Sequence, residues 1–157
     1  MGAELQFELC RWDNSRQTGA FLSLLNHYMA DPMGNYPPLD GAEQEKLLAD
    51  LSAHPTVEVL LMSLHGEYIG MTTFFVNYST FRLKPYIYIH DVVVHKTRRN
   101  RGYGQSMIKE LVRLAQERDY CKLTLEVRND NPAAQKVYSG LGFEAGRPEM
   151  LFWTKWL

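Results

Sequence analysis

The spacing of apolar residues alternates between strand-like and helix-like along the chain, and each switch predicts an element. Gln6 to Trp12 reads as a short strand. From Ser15 to Ala30, Phe21, Leu22, Leu25, Tyr28 and Met29 recur at helical spacing and predict a first helix. Asp31 to Leu39 carries three prolines and a glycine, which exclude both helix and central strand. A second helix follows: Asp40 can cap it, Glu43 stands where a capping box needs it, and Leu47, Leu48 and Leu51 form its apolar face. Val57 to Leu64 and Tyr68 to Asn77 are β-rich runs joined by the hairpin turn His65-Gly66-Glu67, and Pro85 to His95 is a third run. Helical spacing returns from Gly104 to Arg118 through Ile108, Leu111, Val112 and Ala115. Lys122 to Val127 reads as a strand, Pro132 to Leu141 as a short helix with proline in its first turn, and Met150 to Trp156 as a terminal strand.

An antiparallel meander followed by strand, helix and strand implies a mixed sheet with helices on its faces. The expected class is α/β (α+β): a mostly antiparallel central sheet of about six to seven strands flanked by about four helices, in one domain spanning 1–157. The crossover rule places the Gly104–Arg118 helix on one face.

Composition narrows the function. With 157 residues, 45% hydrophobic and 22% charged, the chain can bury about 70% of its unfolded surface and needs no disulfide or metal. Cys10 and Cys121 form no CxxC or Cys/His cluster and read as two buried thiols of a reduced compartment; the five histidines lack zinc-ligand spacing, so no metal is expected. A net charge of -1 argues against a nucleic-acid binder that relies on bulk positive charge. The N-terminal residues lack a basic and an apolar region of signal-peptide type, and Gln6 stands where a myristoylation motif wants Ser or Thr. Nothing approaches ~18 uninterrupted apolar residues. The cytoplasm is the expected location, without membrane or nucleic-acid partners.

The chemistry-bearing segment runs Lys96-Thr97-Arg98-Arg99-Asn100-Arg101-Gly102-Tyr103-Gly104-Gln105, between an apolar strand and an amphipathic helix. Glycines there let backbone N–H groups approach an anion, and the helix dipole and arginines add positive charge, which describes a pyrophosphate site. No Lys followed by Ser or Thr completes a P-loop, and Met107 stands where a dinucleotide fingerprint needs its third glycine. A solvated basic turn is the simpler alternative on these ten residues alone. Arg99-x-x-Gly102-x-Gly104 resembles the GNAT acetyltransferase motif of Arg or Gln, two residues, Gly, one residue, and Gly or Ala. Asn131-Pro-Ala-Ala134-Gln-Lys-Val137-Tyr138-Ser-Gly-Leu-Gly142-Phe143 is similar to the same family's second motif, with Val137 in place of Leu. Two motifs in the right order, over about a third of the chain, carry the resemblance.

The resemblance implies an acetyl-CoA-dependent N-acetyltransferase acting by direct transfer in a ternary complex. Backbone groups of Val92, Val93 and Val94 would hold the pantetheine arm and thioester. Arg99, Asn100, Arg101, Gly102, Tyr103, Gly104 and Gln105 would form the cradle, and Asn131 and Ala134 would add cofactor contacts. Tyr138 matches the general acid: a phenol of reference pKa ~10 stays protonated at neutral pH and can donate to a leaving thiolate. The base is left among Glu126, Asp91 and a water chain. Glu126 and Thr124 project to one face, whereas His90 and Asp91 are expected on opposite faces.

Asn77-Tyr78-Ser79-Thr80-Phe81 and the strand ending at Asp91 resemble the diamine and thialysine acetyltransferase branch, which implies a homodimer. His90 departs from that branch by replacing an acidic residue, which argues for an amine but against a polyamine. Tyr36, His90, Asp91, Thr124 and Glu126 are the expected acceptor contacts, with the loop Asp31–Leu39 walling the site. The alternatives are a protein or peptide acceptor and a non-catalytic acyl-CoA-binding module. The basic turn read as a nucleic-acid patch lacks interleaved aromatics.

Overall fold

Strands β1 (Leu5–Leu9), β2 (Val57–Leu64), β3 (Glu67–Ser79), β4 (Lys84–Val94) and β5 (Leu123–Leu125) form one sheet in the spatial order β1-β2-β3-β4-β5. The structure is a computed structural model and describes residues 4–157. The first four strands pair antiparallel as a meander, and β5 adds in parallel to β4. A parallel neighbour needs a crossover, and α3 (Tyr103–Glu117) supplies it. Helices α1 (Ser15–Met29) and α2 (Gly41–Ala53) fill the long connection between β1 and β2, and α4 (Pro132–Gly140) follows β5. The chain divides into two compact units, one ending at Glu126 and one beginning at Val127.

The local signals act as their chemistry dictates. Asn14 caps α1 by accepting from Arg16 and Gln17 N–H, and Asp40 and Glu43 close a reciprocal capping box on α2. His65 (φ 52°) and Gly66 (φ 79°) make the tight turn between β2 and β3.

Both sheet faces are covered. On one, Phe21 and Leu24 of α1 pack with Val59, Leu61, Met71 and Val93, and Leu47, Leu48 and Leu51 of α2 extend the cluster. The opposite face carries Phe74, Ile87 and Ile89 by alternation and meets α3, whose Met107, Ile108, Leu111 and Ala115 are buried. Each buried large side chain contributes roughly 1.5–3 kcal/mol.

Three expectations are corrected. Among the described residues the sheet has five strands, because Met150–Trp156 makes no ladder; four consecutive apolar residues, Met150 to Trp153, define no single face, and their side chains stand exposed. β5 is only the core of the expected Lys122–Val127 run, since its pairing with β4 stops at Ile89↔Leu125. Cys10 and Cys121 are half-buried rather than buried; burial and then Glu8 push the Cys10 thiol up to about 11, which keeps it protonated.

Candidate active site

The cradle segment begins where β4 loses a neighbour. Beyond Ile89, β4 pairs with β3 through Val94, but among the described residues no strand pairs with its other edge, since β5 has ended. The bond from His95 N–H to the Ile69 carbonyl fixes the alternation, so Val93 turns its main-chain groups to β3 and, against the expectation for all three valines, only Val92 and Val94 present theirs along the unpaired edge, while the Val93 side chain packs in the core. A one-turn 3-10 segment follows over Lys96–Arg98, capped by the His95 side chain. Asn100 (φ 61°) and Gly102 (φ 79°) then take left-handed backbone and turn the chain into α3.

Gly102 is the N-cap of α3, and among the described residues no side chain caps that end. The first intrahelical bond runs from Ser106 N–H to the Gly102 carbonyl at 3.0 Å, so the N–H groups of Tyr103, Gly104 and Gln105 precede the ladder. No acidic residue occupies the first turn. The dipole places roughly half a positive charge there. A Cβ on Gly104 would meet only Val94 Cγ2 at 3.9 Å, an ordinary contact, so packing does not demand this glycine. An uncapped helix end with open space over its second residue fits a phosphate group.

The basic side chains of this turn are unequal. Arg98 pairs with Glu67 at 2.7 Å, and Arg99 pairs with Asp31 at 2.8 Å, whereas Arg101 is exposed.

The second half of the site lies on the sheet face that carries Phe75, Tyr88 and Thr124. Phe75 stands opposite Tyr88 in the antiparallel ladder, and Tyr88 opposite Thr124 in the parallel one. The register of β4 against β3 slips between Ile89 and Asp91, leaving His90 as the extra residue of a β-bulge. That bulge overturns the expectation that His90 and Asp91 face apart: His90 Nδ1 lies 3.1 Å from Asp91 Oδ2. The His90 side chain is 56% exposed and that of Asp91 15%. Chiefly through this hydrogen bond, and against the effect of burial, the His90 imidazole is held above its usual range. The Phe75 and Tyr88 rings flank His90 at 5.9 and 6.3 Å between centroids.

Glu126 lies one residue beyond β5, exposed, and accepts a hydrogen bond from the Tyr88 hydroxyl. Burial first, then this bond, pushes the Tyr88 phenol up to about 12, so it stays a donor. Thr124, Glu126, His90 and Asp91 thus share one region, and Tyr88 joins them as a residue that the sequence reading passed over. The signal was present: Tyr86, Tyr88 and His90 alternate along β4. What the sequence lacked was the β4–β5 register that sets Tyr88 against Thr124.

Tyr36 sits on the loop after α1, 66% exposed as a residue, with its amide N–H bonded to the Met29 carbonyl at 3.0 Å.

The unit from Val127 onward holds the second motif. Asn131 caps α4 by accepting from Ala134 N–H at 3.2 Å, and Pro132 occupies the first turn. Tyr138 lies in the last turn, partly exposed. Its ring centroid is 5.9 Å from that of Phe143, tilted by 55°. Gly142 (φ 86°) bends the chain so that Phe143 N–H reaches the Tyr138 carbonyl at 3.0 Å.

Among the described residues, no group of three or more His, Cys, Asp or Glu is placed to hold a metal, and no helix is long and apolar enough to cross a membrane.

An uncharacterized N-acetyltransferase of Bacillus subtilis (strain 168), YhfO, is 29% identical over 106 residues, covering 68% of this chain and 70% of that one. The fold is shared with an aminoglycoside acetyltransferase from an uncultured soil metagenomic sample, solved in complex with sisomicin. The TM-score is 0.79 at 19% identity, over 98% of this chain and 97% of that one. It is also shared with the ribosomal-protein-alanine N-acetyltransferase of Brucella melitensis biovar Abortus 2308, with a TM-score of 0.71 at 19% identity over 98% of both chains. The sequence profile of the acetyltransferase (GNAT) family matches residues 21–143, well over half of the chain. That family uses acetyl-CoA, and this chain belongs to it as an N-acetyltransferase.

Proposed function

We propose that the chain, working as one catalytic domain over 1–157, transfers the acetyl group of acetyl-CoA directly to a primary amine of a small molecule. The observation that carries this reading is the uncapped N-terminus of α3 beside the open edge of β4. In this reading the N–H groups from Tyr103 to Gln105 hold the pyrophosphate, with Asn100, Arg101 and Gly102 shaping the turn. Main-chain groups of Val92 and Val94 hold the pantetheine arm and polarise the thioester carbonyl. Asn131 and Ala134 add contacts from α4. The amine nitrogen attacks the carbonyl carbon, the C–S bond breaks, Glu126 takes the amine proton directly or through water, and Tyr138 protonates the departing sulfur. Asp91 is the alternative base. The same proposal places the enzyme in the cytoplasm as a homodimer.

A turnover screen that follows thiol release from acetyl-CoA over amino acids, diamines, aminoglycosides and peptides tests the reading. Release with small amines is expected. Release with peptides alone would move the acceptor to a protein or peptide; the Brucella neighbour is named for the alanine of a ribosomal protein. No release with any amine would leave an acyl-CoA-binding module.

Two predictions concern the acceptor region. Glu126→Gln should lower kcat/KM by ~10- to ~100-fold at neutral pH, and Tyr88→Phe by a smaller factor of ~3- to ~10-fold, because Tyr88 only orients the carboxylate. In the double variant the two losses should not multiply. An active Glu126→Gln with wild-type kcat/KM assigns the base elsewhere.

His90 paired with Asp91 leaves less negative charge than two carboxylates would. A monoamine should therefore be preferred to spermidine-like substrates. His90→Glu should shift the kcat/KM ratio toward diamines by ~3- to ~10-fold, a modest factor because the His90 side chain is 56% exposed. A wild type that already strongly prefers spermidine, or a ratio that does not move, would mean that pocket walls rather than charge set selectivity.

A further inference from the structure

Arg99 ties together two segments that lie far apart in sequence. Its Nη1 meets Asp31 Oδ2 at 2.8 Å and its Nε donates to the Val94 carbonyl at 3.0 Å. The side chains are 38% and 17% exposed, so the pair is partly shielded from solvent. The other carboxylate oxygen, Asp31 Oδ1, accepts from Met33 N–H at 3.1 Å, and the Asp31 carbonyl accepts from Asn35 N–H at 2.8 Å. Asp31 thus organises the first turn of the loop 31–39 while holding the cradle's arginine. The Arg99 guanidinium, with Met33 N–H second, keeps the Asp31 carboxyl below the usual carboxylate range.

The rest of that loop is fastened equally well. Asn26 clamps its far end from both sides, donating to the Leu39 carbonyl at 3.1 Å and accepting from Leu39 N–H at 2.8 Å. Gly34 lies so close to the end of α1 that a Cβ there would sit 2.1 Å from the Tyr28 carbonyl oxygen. Alongside, the His27 ring stacks on His95 at 4.3 Å, and His27 Nε2 accepts from Lys96 N–H at 3.1 Å.

A guanidinium whose fork already engages a carboxylate and a carbonyl has fewer N–H groups left for phosphate oxygens. We propose that Asp31 and Arg99 form a positioning pair that fixes the acceptor loop against the acetyl-CoA cradle, so that the Arg99 side chain serves acceptor binding rather than phosphate binding. Phosphate contact then falls to the main-chain N–H groups of the turn. The inference rests on the reading that residues 31–39 wall the acceptor site.

The test uses Asp31→Asn, Arg99→Gln and the double variant of the whole chain. Three quantities are measured: acetyl-CoA Kd by calorimetry, KM for the amine found in the turnover screen, and amide hydrogen exchange over residues 32–39. Each single variant should raise acceptor KM by about 10-fold and acetyl-CoA Kd by no more than about 3-fold. The double variant should match the worse single one, and both singles should speed exchange at Asn35 and Tyr36. Arg99→Lys, which keeps the charge, should recover part of the acceptor KM. A rise of about 10-fold or more in acetyl-CoA Kd for Arg99→Gln, with Asp31→Asn at wild-type values, would make Arg99 a phosphate ligand and overturn the proposal. Losses that multiply in the double variant would also overturn it. The exchange arm needs no acceptor. If no small amine turns over but both variants loosen the loop, the pairing stands and the small-amine reading falls; unchanged exchange in both overturns the pairing.

Discussion

Replacing Gly104 with valine should weaken acetyl-CoA binding by ~100-fold or more, about 2.7 kcal/mol or more, in a protein that still folds. The two halves of that expectation have separate causes. A Cβ at Gly104 meets only Val94 Cγ2 at 3.9 Å, so the fold has room for it. Valine also ranks above glycine in helix propensity, so α3 loses nothing locally. A branched side chain over the second residue of α3 would occupy the space a phosphate needs to reach the N–H groups of Tyr103 to Gln105. Gly104→Ala should be far milder, within ~10-fold, because one methyl group leaves most of that space open. Gly102 makes the contrasting control. Its φ of 79° strains any β-branched residue, so Gly102→Val should damage the turn itself. Calorimetric titration with acetyl-CoA, with circular dichroism to verify folding, reads both. Wild-type affinity in a folded Gly104→Val would remove the phosphate from this turn.

The parts of the molecule that were legible in the sequence are those governed by local chemistry. The caps at Asp40 and Asn131, the hairpin turn at Gly66 and the apolar stripe of α3 depend on neighbours a few residues away, and periodicity reads them well. The junction from β4 through Gly102 into α3 was legible for the same reason: a strand, a glycine turn and a helix start are contiguous. What escaped depends on register and long-range pairing. The bulge at His90 cannot be read from alternation, because alternation assumes that no residue is skipped. It is this bulge that turns the His90 and Asp91 side chains toward each other. Tyr88 gained its meaning only through the parallel ladder that sets it opposite Thr124. The Asp31–Arg99 pair spans segments that the sequence gives no reason to join. The expected terminal strand failed on the same ground, since a strand requires a neighbour as well as a composition.

Tyr138→Phe should lower kcat by ~10- to ~10⁴-fold while acetyl-CoA affinity stays within ~3-fold of wild type. The substitution removes one oxygen and keeps the ring. The ring stays 5.9 Å from that of Phe143, and the turn behind it rests on main-chain bonds and Gly142. Circular dichroism verifies that the variant folds. In the proposed mechanism the hydroxyl acts when the C–S bond breaks and charge gathers on sulfur, so its loss should appear in the transition state more than in the bound state. The wide range has a chemical reason. A thiolate whose conjugate acid has a pKa near ~8.5 is a fair leaving group even without help, and so the lower end applies when attack by the amine limits the rate. The upper end applies when collapse of the tetrahedral intermediate does. Rapid-quench measurement of the first turnover separates the chemical step from product release. A first-turnover rate equal to wild type would take Tyr138 out of the mechanism and leave the departing sulfur to be protonated by solvent.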